Sequence, residues 1–158
     1  MIKGKYLMSR ADGCAEVIGL RRQIPEFSCG ADQYDDMAFY ALVYTEDDKP
    51  GACGRLYIDE DSHFRIDYLG VLPEERMKYM GDLTARMLLY KAQELNAPRV
   101  VADVPDSLVY FFARYGFKLS SSSGGTSHMN VEADSIRLEG KCSKGNSGSC
   151  AGDCENCQ

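Results

Sequence analysis

A chain of 158 residues, 44% hydrophobic and 27% charged, has the length of one domain and enough apolar material for a real core. It contains no apolar run long enough to span a membrane. The formal net charge of -6 argues against sequence-independent nucleic-acid binding, which needs clustered Lys and Arg, and is compatible with a cationic partner.

Met1 to Met8 carries lysines but no apolar stretch of signal-peptide length, so a soluble, cytoplasmic protein is expected. Seven cysteines cannot all pair. Three are scattered (Cys14, Cys29, Cys53), and four crowd into the end (Cys142, Cys150, Cys154, Cys157). This divides the chain into a body, residues 1–135, and a cysteine-rich tail, residues 136–158.

Ile2 to Leu7 reads as a strand, and Asp12 as the cap of a helix over Gly13 to Arg22 that ends before Pro25. Cys29 to Asp36 is polar and reads as loop. Met37 to Tyr44, Ala52 to Asp59 and His63 to Val71 read as three strands joined by turn-rich segments, an antiparallel meander. Met80, Leu83, Thr84, Met87, Leu88, Ala92 and Leu95 recur at helical spacing, and Asn96-Ala97-Pro98 stops that helix. Arg99 to Val104 is a β-branched strand, which makes a βαβ unit with parallel strands and a right-handed crossover. Asp106 is placed to cap a helix to about Tyr115, and Gly116 to end it. Phe117 to Ser120 is a strand, Ser121 to Thr126 a flexible loop, and Ser127 to Ala133 a last strand.

The stretch Ile66 to Gly81 carries the chemistry. A strand ends at Val71 and a helix begins near Gly81, so backbone N–H groups without intrahelical partners converge there. With the helix dipole they favour an anion such as a diphosphate, and Arg76 and Lys78 add positive charge. An ordinary βα loop with surface charges is the plainer reading of the same residues.

Val71-Leu72-Pro73-Glu74 followed by Arg76 and Gly81 resembles the acetyl-CoA signature of the GCN5-related N-acetyltransferase (GNAT) superfamily. Tyr79 departs from it, standing where the family usually has glycine, and must point outward or narrow the site. Phe111 to Phe117 is similar to the family's F-Y-x-x-x-G-F segment, and His128-Met129 to its last strand. The resemblance covers roughly Met37 to Val131. It implies an α/β (α+β) fold: a mixed, mostly antiparallel sheet of six or seven strands, helices on both faces, and a cleft at the central parallel pair.

It further implies transfer of an acetyl group from acetyl-CoA to a primary amine of a small molecule or peptide, with neither nucleic acid nor membrane as partner. The pantetheine arm would pair with backbone near Leu69 and Val71. The diphosphate would rest on amides of Met77, Lys78, Tyr79, Met80, Gly81 and Asp82 beside Arg76. Asp67, where many relatives place a Glu, is the candidate base, acting through water; holding the substrate ammonium or bonding locally are its other roles. Phe112 occupies the place of a cofactor-side Tyr that protonates the leaving thiolate. Phenylalanine cannot do so, but a thiol with a pKa of about 8.5 leaves tolerably without help. His128 is a second base candidate, and Cys53 is discounted as a nucleophile.

In the tail, four thiolates among glycines offer zinc or an iron–sulfur cluster a tetrahedral site. Redox-active thiols and local disulfides are the alternatives. A rival reading of the whole chain is a catalytically weak acyl-CoA-binding protein that works through a metal- or redox-sensing tail. A homodimer and a monomer fit the sequence equally.

Overall fold

The computed structural model describes residues 1–8, 14–27 and 30–139. The tail cysteines Cys142, Cys150, Cys154 and Cys157, and the proposed cap Asp12, lie outside the described residues. No helix among the described residues is long and apolar enough to cross a membrane.

Seven strands form one sheet in the order β1-β2-β3-β4-β5-β7-β6. β1 (Lys3–Met8), β2 (Phe39–Tyr44), β3 (Pro50–Ile58) and β4 (Phe64–Val71) are antiparallel neighbours. β4 then pairs in parallel with β5 (Arg99–Pro105). β7 (Thr126–Glu132) lies between β5 and β6 (Lys118–Ser123), antiparallel to both. The meander, the single parallel crossover and the closing hairpin are those expected from the sequence.

Each face of the sheet carries a helix. α1 (Ala15–Gln23) buries Val17 and Leu20 against Leu7, Tyr40, Leu42, Cys53 and Tyr57. α2 (Met80–Glu94) covers the other face, packing Ala85, Leu88, Leu89 and Ala92 on Ala41, Leu56, Ile66, Val100 and Ala102. Its buried stripe is shifted from the one read in the sequence, because Ala85 and Leu89 face the sheet while Leu83 and Met87 are only half-buried. The helix ends as the sequence predicts: Asn96 takes a positive φ of 55°, and its amide donates to Gln93 O. Ile136 and Leu138 still pack on the main core, and Arg86 Nη1 donates to Leu138 O.

Three local readings need correction. The polar segment read as loop holds a 3-10 turn, Gln33–Met37. Asp32 accepts a bond from Tyr34 N, and the Asp35 side chain accepts one from Asp32 N, a reciprocal cap written in the Asp-x-x-Asp spacing. Asp106 caps no long helix: a 3-10 turn (Asp106–Leu108) leads into the short α3 (Val109–Ala113), while Asp106 Oδ1 accepts a bond from Ser127 Oγ at 2.6 Å. Of the segment expected as a flexible loop, Ser121 to Thr126, residues 121–123 instead extend strand β6, which is closed by Gly124-Gly125 with φ of 59° and 82°. Two successive positive φ values match the twist of a hairpin, so the turn needs only two residues.

Gly116 ends α3 with φ of 97°, and a Cβ there would collide with the Ser135 carbonyl oxygen. Gly116→Ala combines left-handed strain with a clash against backbone, which cannot swing aside. Thermal unfolding should show a loss of at least about 2 kcal/mol.

Candidate active site

The site begins where the sheet opens. β4 and β5 pair only at Phe64–Val100 and Arg65–Val101. Beyond Arg65–Val101 the ladder between β4 and β5 stops, and the two strands part. The two strands therefore bound a V with its vertex at Arg65.

A bulge shapes the β4 side of the V. The β3–β4 register shifts between Cys53–Gly70 and Arg55–Asp67, and Tyr68 takes a φ of 46°. A bulge turns two successive side chains to one face. Asp67 and Tyr68 accordingly both meet the Arg21–Arg55 cluster on the α1 face, while Leu69 packs in the main core on the other. Val71 packs beside Met80.

Beyond Val71 a 3-10 turn, Pro73–Glu75, leads to Arg76, which is extended. Met77 and Tyr79 then both take positive φ, 65° and 60°. The first intrahelical bond of α2 runs from Leu83 N to Tyr79 O, and no side chain caps the helix. The amides of Met80, Gly81 and Asp82 thus precede the hydrogen-bonded ladder. Tyr79 is 70% exposed, so it takes the outward of the two orientations left open by the sequence. Its backbone adopts the conformation for which glycine is suited. Tyr79→Gly should relieve the left-handed penalty and raise stability by up to about 1 kcal/mol in a denaturant titration. Gly81 lets the helix approach the strand: a Cβ there would lie 3.3 Å from Val71 Cγ2.

The charged groups near this turn are already engaged. Arg76 Nη2 donates to Glu26 at 2.6 Å and its Nε to Val71 O at 3.3 Å, while Lys78 pairs with Glu75 at 2.9 Å. Asp82 accepts bonds from Arg86 at 2.8 Å and from Tyr115 Oη at 2.5 Å. Burial and that carboxylate together raise the Tyr115 phenol. Phe112 is 3% exposed and packs edge-on to Phe111 and Phe117, within the main core.

Asp67 is held by Arg55, whose Nε and Nη2 donate to its two oxygens at 2.7 Å each. Arg55 is 1% exposed and also donates to Asp32, at 2.6 and 3.0 Å, and to Asp35, at 3.0 Å. Arg21, fully buried, binds Asp35 from the other side at 3.0 and 3.3 Å. Three carboxylates thus face two guanidiniums, leaving an excess of negative charge. Burial works to raise Asp35, but bonds from Arg21, Tyr40 and the Asp32 amide outweigh it and hold that carboxyl well below the usual range. For Asp67 burial prevails over the opposing Arg55 charge, and its carboxyl is raised. The Asp67 side chain remains 28% exposed and lines a cavity of about 250 Å³ at the vertex, with Tyr57, Arg65, Ile66 and Asp103.

His128 stands across the vertex with Nδ1 2.5 Å from Asp103 Oδ1, and Arg65 Nη1 donates to the other Asp103 oxygen at 2.9 Å. Cys53 is fully buried, and burial pushes its thiol up to about 12, which suits an inert core residue.

Sequence reasoning missed Arg21, Asp32, Asp35 and Arg55. Two signals were present: the Asp-x-x-Asp cap, and a lone arginine in the otherwise uncharged strand Ala52 to Ile58, which demands buried acidic partners.

No protein-family model matches the sequence. Comparison with solved structures identifies the fold as that of the GNAT N-acetyltransferases. An acyl-CoA N-acyltransferase from Pseudomonas aeruginosa superposes with a TM-score of 0.72 at 15% identity, over 83% of this chain and 99% of that chain. Escherichia coli ElaA gives 0.66 at 19%, over 84% and 100%. PaiA N-acetyltransferase from Thermoplasma acidophilum, solved in complex with coenzyme A, gives 0.61 at 14%, over 84% and 99%. At these identities the likeness is one of fold.

Proposed function

We propose that this protein is an N-acetyltransferase that moves the acetyl group of acetyl-CoA to a primary amine by direct attack. The observation that carries the reading is the V itself: β4 parts from β5 after Arg65 and runs on toward the uncapped N-terminus of α2. An extended amide-bearing arm fits β4 near Leu69 and Val71, and a diphosphate fits the turn. The residues present suit the cosubstrate, since the Met80, Gly81 and Asp82 amides are ahead of the helical ladder and the Tyr79 ring is outside. Arg76 and Lys78 would exchange their surface carboxylate partners for phosphate, at small cost because exposed ion pairs are weak.

Acetyl-CoA supplies the activated acyl carbon. The amine must arrive neutral, and its proton must go to the protein or to water as the C–N bond forms and the C–S bond breaks. Asp67 is the acceptor we favour, through an intervening water. It faces the vertex cavity, and burial moves its carboxyl toward neutral pH, where a base works best. Arg55 orients it and remains charged. Phe112 offers no proton, so solvent protonates the departing thiolate.

Titration with acetyl-CoA, followed by thiol-release assays over a panel of small and peptide amines, tests the reading. Saturable binding with amine-dependent thiol release is expected. Absence of acetyl-CoA binding overturns the proposal. Binding without release on any amine favours the acyl-CoA-binding alternative.

A further inference from the structure

Two protons must leave the amine nitrogen, and Asp67 accounts for one. Near pH 7 an alkylamine is ammonium, so ammonium and acetyl-CoA give amide, coenzyme thiol and one proton released to solution. Asp67, through its water, takes the proton lost as the C–N bond forms. It must be ionised at that moment, so the earlier proton, whose loss turns ammonium into amine, needs a separate exit. Water alone is slow. An ammonium with a pKa of about 10.4, reprotonated at a diffusion-limited ~10¹⁰ M⁻¹s⁻¹, sheds its proton at roughly 0.4 s⁻¹. Enzymes commonly turn over at about 10 s⁻¹. A nearby base would remove that bottleneck.

The α1 face of the sheet carries one. Val100, Ala102 and Val104 turn into the main core under α2, so Asp103 stands on the α1 face of β5. His128 is its register partner on β7 and shares that face, since Met129 and Val131 enter the main core. Two residues beyond the last β4–β5 pair, Arg65–Val101, Asp67 and Asp103 come level across the opening V, and both line the vertex cavity of about 250 Å³. That holds an ammonium and a water, which occupies about 30 Å³. α1 packs on β1–β3, whereas Asp67, Asp103 and His128 are part-exposed to an arriving amine. Asp103 is braced from behind: Arg65 donates to it at 2.9 Å and to Asp59 at 3.1 Å, and Asp59 accepts the Asp61 and His63 amides at 3.0 and 2.9 Å. Two carboxylates against one guanidinium leave this chain a negative charge, which steadies a cation beside it. Asp103 lies 2.5 Å from His128 Nδ1 and favours the tautomer protonated there, leaving Nε2 as the acceptor. Among the described residues Nε2 has no hydrogen-bond partner. From β6 the register partner of His128 is the uncharged Ser121, and Lys118 stands opposite Asn130.

We propose that His128, positioned by Asp103, is the exit for the first proton: the substrate ammonium in the vertex cavity gives it through a water to Nε2, and the imidazolium releases it to solvent. The inference rests on the acetyl transfer proposed above. Asp103 faces a cation at both stages, first the ammonium and then the imidazolium. The neutral amine then attacks the acyl carbon, its second proton goes to Asp67 through water, and the departing thiolate recovers one from solvent.

The test measures thiol release at pH 7 from butylamine, which is ammonium there, and from 2,2,2-trifluoroethylamine, which is weakly basic and already neutral. In His128→Ala, kcat for butylamine should fall by about tenfold or more, toward the rate at which water alone takes the proton. Turnover of trifluoroethylamine should hardly change, because that amine has no first proton to lose. Added imidazole should restore butylamine turnover in His128→Ala in proportion to its concentration, which no loss of packing would allow. Asp103→Asn, which keeps the shape but not the charge, is the second variant and should show the same selective loss. Equal losses for the two amines, no loss in either variant, or no response to imidazole overturns the exit. Thiol release by the native protein together with any of these results defeats the exit alone. No release from any amine defeats the transferase reading, and the exit falls with it.

Discussion

Arg55→Met is expected to destabilise the fold by about 3–5 kcal/mol, the usual consequence of breaking a buried ion pair from one side. Arg55 satisfies Asp67, Asp32 and Asp35 at once, and its loss leaves Arg21 alone among three acids. Thermal unfolding should drop by roughly 10 °C, taking ~2–4 °C per kcal/mol for a chain of this length. The sign of the pH dependence identifies the cause. In the native protein Asp35 is depressed, so its contribution is complete above the ordinary carboxylate range and is lost as pH falls through its folded value. In the variant the stranded carboxylates, Asp67 foremost because burial already raises it, are relieved by protonation. The gap between the two proteins should therefore narrow from pH 7 toward pH 4. A gap independent of pH would point to lost packing rather than stranded charge.

Asp67→Asn is expected to lower kcat/KM by about 10²-fold or more, within the range for removal of a general base. Binding of acetyl-CoA should be unchanged, and folding nearly so, because asparagine keeps the shape and one acceptor for Arg55 while Asp32 and Asp35 retain theirs. The base must be ionised to act, so the native rate should fall as pH drops through the Asp67 value. In the variant that acid limb should vanish, leaving only ionisation of the substrate amine. If the limb persists and KM alone rises, the carboxylate holds the amine rather than taking its proton.

The sheet and its crossover were legible because their signals are periodic and local. Alternating and continuous apolar runs mark β2 to β4, and heptad-like spacing marks α2. Segments governed by conformation rather than polarity were harder. Ser121 to Ser123 have no apolar alternation, yet the Gly124-Gly125 turn carries the edge strand through them. The anion turn could be placed from Pro73 and Gly81, but the orientation of Tyr79 depends on a backbone angle that residue type alone does not fix. The position of Asp67 was readable from its distance to Val71. Its partner was not, since Arg55 is on another strand and Asp32 and Asp35 on a turn before β2. Contacts between residues so far apart in the chain leave only an indirect trace, a charge in an apolar strand.

Among the described residues, two residue pairs stitch β1–β4 to β5–β7 through the backbone ladder. The short β4–β5 ladder is a seam between two more extensively paired parts of the sheet. One buried apolar cluster, holding Leu88 and Leu89 of α2 with Ile66 of β4 and Val100 and Ala102 of β5, spans the seam on one face, and on the opposite face the part-exposed Arg65–Asp103 clasp bridges it. A buried grip and a wet clasp respond differently to surroundings: salt loosens the second and barely touches the first. Of the two bridges across the seam, the wet clasp is thus the one within reach of ionic strength.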